Sequence, residues 1–155
     1  MADRYRAQIE IGGAIRESLV PALVAALQAD QPDGCDEAIG DYGAHLMLAT
    51  AAGLPARFAD GEATGGRFEA VEEFCQSHRI AFRRQSAAYA PFDAEVVVFR
   101  PDKGMAEPQA YCANDAGDIL VPLRELKGIS TVDQLAKIIA GYEVGELMIP
   151  PLVIE

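Results

Sequence analysis

Read for alternation of apolar and polar positions, the chain shows one stretch that does not alternate. Ala94–Arg100, AEVVVFR, puts Val96, Val97, Val98 and Phe99 on both faces of any strand it forms, because side chains alternate with period two. Such a strand belongs in a sheet interior, covered above and below. The rest of the chain has to supply the covers.

Elsewhere the pattern is periodic. Arg4–Ile11 alternates, with Tyr5, Ala7, Ile9 and Ile11 on one side and Arg4, Arg6, Gln8 and Glu10 on the other, and Gly12-Gly13 ends this strand. Ile15, Leu19, Leu23 and Leu27 recur at helical spacing; the helix is expected to start near Ala14 and bend at Pro21, rather than to start at Ser18. Asp30–Asp41 reads as a solvated acidic loop, and the spacing of Asp30, Asp33 and Asp36 fails the calcium-loop pattern. His45–Thr50 reads as a strand, with His45 and Met47 on one face. Ala56–Asp60 is a second short strand, and Gly61–Gly66 a glycine-rich turn into a helix over Arg67–His78. Ile80–Tyr89 follows as a strand with Arg83, Gln85 and Tyr89 outward. Arg84 is out of phase, either an inward arginine or the mark of a bulge. Gln109–Ala113 and Ile119–Leu123 flank a hairpin signal, Asn114–Asp118, with Pro122 suggesting an outer strand. Ser130–Asp133 resembles a capping box before a helix with Val132, Leu135, Ile139 and Tyr142 in an apolar stripe.

The order strand, helix, strand, strand, helix, strand over residues 4–89 resembles the ferredoxin-like βαββαβ plait, an α+β fold with both helices on one face of an antiparallel sheet. In that arrangement the first and last strands are neighbours. A meander over residues 90–155 extends the sheet and a C-terminal helix folds back, giving a single domain, 1–155. One face is then polar near the first strands and apolar near Val97 and Phe99. Its cover is expected from the last helix, from the apolar prolyl tail, or from a second subunit.

The totals narrow the function classes. The chain has 155 residues, a formal net charge of −11 and half its residues apolar. That is enough for a core without disulfides or metal. The acidity disfavours nucleic acid, and no apolar run reaches the length of a membrane span. The start lacks the apolar core of a secretion signal and the three cysteines match no zinc or redox spacing, so the reading is cytoplasmic. Cys75 and Cys112 read as structural, and Cys35 as the thiol to test for reactivity.

No catalytic, metal or cofactor motif is found, and no enzyme class is assigned. The open sheet face gathers Arg6, Glu10, His45, Arg57, Arg83, Gln85 and Tyr89, where arginines would grip a carboxylate or phosphate and His45 would shuttle a proton. Thr64, Gly65 and Gly66 would cradle an anion at a helix N-terminus. The tail Met148, Ile149, Pro150, Pro151 and Leu152 must lie against its own domain or a neighbouring chain. Three functions follow: first, a self-associating, homodimeric protein-interaction module; second, a small-molecule or anion binder, or an enzyme, using the arginine-bearing face; third, an acidic DNA mimic.

Overall fold

A computed structural model describes residues 3–34 and 38–155; Cys35 and Asp36 lie outside the described residues. The protein is a mixed α+β fold with one six-stranded open sheet and five α-helices among the described residues. The alternation at the start of the chain builds the central strand, β1 (Arg4–Ile15). Its odd-numbered Ala7, Ile9, Ile11 and Ile15 are buried. The strand does not stop at Gly12-Gly13. It continues through them because another segment, the tail, approaches there: a Cβ on Gly12 would sit 1.9 Å from the Pro150 carbonyl oxygen.

Ile15 is therefore a strand residue, and the first helix begins later than expected. After a 3-10 turn at Glu17–Leu19, α1 runs Val20–Asp30 with Pro21 in its first turn, where a missing N–H costs nothing. The strand expected at His45–Thr50 is instead α2 (Tyr42–Ala52). The Asp41 carboxylate accepts the Ala44 N–H at 3.1 Å, and Gly53 closes the helix in the left-handed conformation. Good helix formers between two caps decide a short apolar run that alone fits a strand or a helix. Strand β2 (Ala56–Thr64) runs longer than expected, and α3 (Glu69–His78) starts two residues later. The chain continues through β3 (Ala81–Ser86), β4 (Ala94–Phe99), β5 (Gln109–Ala113), a one-turn α4 (Leu123–Leu126), α5 (Val132–Glu143) and β6 (Leu152–Ile154). The expected strand at Ile119–Leu123 reduces to one bridge, Ala113 to Ile119, and Pro122 opens α4.

The sheet order is β2-β1-β3-β4-β5, with four antiparallel ladders; β6 adds in parallel beside the end of β1. The expected neighbours β1 and β3 do pair. With a helix at residues 42–52, however, the outer strand of a βαββαβ plait is missing. Helices α1 and α3 cover the face that carries Ile9, Phe58, Phe82 and Phe99.

Strand β4 is interior, as its four consecutive apolar residues require: Val96, Val98 and Phe99 are at most 1% exposed and Val97 6%. Register puts Val97 and Phe99 on the helix-covered face beside Arg84 and Phe82, so Val96 and Val98 are the apolar residues of the other face. That second face is covered in cis. The 3-10 turn Val144–Glu146 lies on β4 and β5, and buried Gly145 fits tightly against Ile119 and Tyr111. The body of α5 stays outside, with no buried residue.

Candidate functional sites

The open face of the sheet was the first candidate. Arg6, Gln8 and Glu10 of β1, Arg57 of β2, and Arg83 and Gln85 of β3 do share it, because their registers align. Most of them already have partners within the fold. Arg57 Nε lies 2.8 Å from Glu10 Oε1 across the ladder. Arg83 donates to the Gly117 carbonyl at 3.4 Å and Gln85 to the Asp115 carbonyl at 3.2 Å. The Asn114–Asp118 turn thus folds onto the sheet, and Gly117 permits this since a Cβ there would meet Gln85 Oε1 at 2.5 Å. Arg6 remains exposed at the rim of a cavity of about 490 Å³ with Gln8, Gln85 and Asp115.

Two residues expected on that face are elsewhere. His45 rides on α2, its ring against Phe58 and its Nε2 3.0 Å from the Arg57 carbonyl oxygen, on the helix side of β2. Tyr89 lies past the end of β3 and stacks on Tyr5 at 5.6 Å with near-parallel rings. No arginine-and-histidine constellation forms on the sheet.

The Thr64–Gly66 loop holds the domain together instead of presenting amides to an anion. Thr64 ends β2 and caps no helix; Phe68 holds that position. The Gly65 carbonyl accepts the Tyr5 hydroxyl at 2.8 Å, and the Gly66 carbonyl accepts Arg84 at 3.0 Å. Three amides at the start of α3 are already taken. Asp30 accepts Val71 and Ala70, and Glu72 Oε1 accepts Phe68.

The tail also turns inward. Ile149 and Leu152 are 4% and 1% exposed, and Leu152–Ile154 pairs with Gly13–Ile15. Pro150 abuts Gly12, while Pro151 and Met148 face solvent and the Met148 carbonyl accepts Arg100.

Of the two readings that the phase of Arg84 allows, an inward arginine or a bulge, the structure shows the first, together with a network that the pattern does not reveal. Arg84 is 2% exposed. Its NH2 meets Glu95 Oε1 at 2.8 Å, its NH1 reaches Ser86 Oγ and the Gly66 carbonyl, and its Nε sits 2.8 Å from Glu72 Oε1. Burial pushes the Glu72 carboxyl above its ordinary range, with Arg84 pulling the other way. Burial likewise raises the Cys75 thiol far above reactivity.

Glu95 opens onto a groove of about 690 Å³ on the helix-covered face, beside β5. Its floor includes Ala110 and Cys112, both exposed; its walls include Tyr5, Arg67, Phe92 and Asp93. The one sequence signal for it was Arg84, an arginine in the phase of the core.

The third site is the outer side of α5. At 100° per residue its apolar and small side chains, from Ile138 through Tyr142, Leu135, Ile139 and Val132 to Ala136 and Ala140, span an arc of roughly 200°, interrupted by Glu143 at the C-terminal end. Among the described residues it meets the sheet along one edge, where Tyr142 packs on Tyr111 and the Gly141 carbonyl accepts the Tyr111 hydroxyl. Val132 is 81% exposed, and Leu135 and Ile139 about half that.

Comparison with family models, with curated proteins and with solved structures finds no match. Among the described residues, no three His, Cys, Asp or Glu side chains gather as a metal ion requires, and no helix is long and apolar enough to cross a membrane.

Proposed function

We propose that the protein is a self-associating interaction module whose contact surface is α5, and that its first partner is a second copy of the chain. The observation that carries this reading is the mismatch between the apolar arc of α5 and the narrow edge the domain covers. Val132, Leu135, Ile139 and Tyr142 follow the 3-4-3 spacing of a helix-pairing seam. Ala136 and Ala140 flank it and allow close approach. An antiparallel two-fold pair about Lys137 sets Leu135 of one copy against Ile139 of the other, the isologous contact that closes a dimer. Exposed Leu123 and Leu126 of α4 widen the patch, since α4 brings Glu125 near enough to Tyr142 to push the pKa of its phenol upward.

We further read the sheet as a plait derivative in which α2 has replaced the second strand, and the setting as cytoplasmic, in keeping with the free thiols Cys75 and Cys112. Light scattering tests the association. The expected mass is that of two chains, falling to one for Val132→Glu/Ile139→Glu with unchanged circular dichroism. A wild-type mass of one chain at about 100 μM, well above the micromolar range of weak specific pairs, overturns the proposal.

A further inference from the structure

The groove beside Glu95 contains no residue of α5, and its chemistry is specific. Three carboxylates line it, Asp3, Asp93 and Glu95, against one guanidinium, Arg67. The Arg84 charge beneath is neutralised by Glu72 and Glu95. Arg84 grips only Oε1 of Glu95. The side chain is 37% exposed, and among the described residues no donor is paired with its second oxygen. The carboxylate is therefore fixed from below and open from above, a preorganised acceptor.

Apolar surface stands beside it. Phe92 is 55% exposed. Tyr5 is immobilised between Gly66, where a Cβ would lie 2.2 Å from the ring, and Tyr89. The volume lies in the range of small-molecule sites, and a net charge of −11 draws cations toward the surface.

We propose that this groove binds a small organic cation: an amine whose ammonium group meets Glu95 and Asp93 and whose apolar body lies on Phe92. An anion is excluded by the carboxylates, and a bare metal ion leaves the aromatic wall without a role.

The test uses the full chain with phenethylamine and its neutral counterpart 2-phenylethanol, followed by calorimetry and by the alkylation rate of Cys112 read on its own peptide. The amine is expected to bind and to slow alkylation of Cys112, and the alcohol to do neither. Glu95→Gln weakens binding about tenfold or more, the scale of a charge-assisted hydrogen bond. Because that variant also touches Arg84, Asp93→Asn and Phe92→Ala provide a second measure. Each is expected to weaken binding about threefold, the scale of one exposed aromatic stacking or rim charge contact. Equal affinity for the alcohol, an unprotected Cys112, or unchanged affinity in both of the latter variants overturns the proposal.

Discussion

The carboxylate of Asp30, the last residue of α1, accepts the backbone N–H of Val71 at 2.9 Å in the first turn of α3. Phe68 at the N-cap of α3 offers no side-chain oxygen, so one helix borrows its cap from another. Asp30→Ala is expected to cost about 1 kcal/mol, as lost N-caps do, and Asp30→Asn to cost less because its oxygen still accepts. Urea midpoints of the two variants check this; equal losses would remove the cap from the account.

Arg84 holds two carboxylates together in a nearly dry site. Arg84→Met leaves Glu72 buried without a counter-charge and is expected to cost about 3–5 kcal/mol. Adding Glu72→Gln should recover part of that loss, a coupling that a double-mutant cycle reads directly. The pH response has a definite sign. The folded-state value of Glu72 lies above its unfolded one, so the native state holds the proton more tightly. Its contribution to stability is present at low pH and falls as pH rises through that interval. Glu72→Gln should flatten this fall.

Asp102 behaves in the opposite sense. The Arg100 guanidinium grips both its oxygens, at 2.8 and 2.6 Å, and holds its carboxyl below the usual range. The resulting stability is present above the ordinary carboxylate value of about 4 and is lost as pH falls through the folded value. The difference in urea midpoint between wild type and Asp102→Asn should be largest near neutrality and close in strong acid. A difference that stays constant with pH would contradict the assignment.

The tail is a core element. Leu152→Ala should cost about 2–5 kcal/mol, the range for a fully buried leucine. Gly12→Ala should expose the same segment to protease by pushing Pro150 away. Val153→Ala, at a half-exposed position, should stay within about 0.5 kcal/mol. Limited proteolysis and urea melts separate the three.

How much of this was legible depended on whether a local pattern had a long-range cause. The burial of β4 could be read because four successive apolar residues leave no wet face. The phase of Arg84 leaves two readings, an inward arginine or a bulge, and only its burial decides for the first. The helix at 42–52 escapes the pattern because His45–Thr50 is a short apolar run that fits a strand as well as a helix, while the deciding signals, Asp41 and Gly53, flank that window. Gly12 looked like a strand end because the partner that requires a glycine there is Pro150, far along the chain. Asp30 and Asp33 looked like members of a solvated loop; one caps α3 and the other bridges to Ala59 of β2. For α5 the stripe was read correctly and its direction was not, since periodicity cannot say what a face meets. The groove needed three separated segments, around Tyr5, Arg67 and Glu95, to be brought together.

Gly13 pairs with Leu152 and Ile15 with Ile154, joining segments from near the two limits of the described chain. During synthesis, β1 emerges from the ribosome long before β6 does. The N-terminal strand can gather β2 and β3 on the way, yet the seam beside Gly13 stays unzipped until residue 154 has cleared the exit tunnel. Nascent chains arrested short of that point should engage chaperones through this unsealed edge.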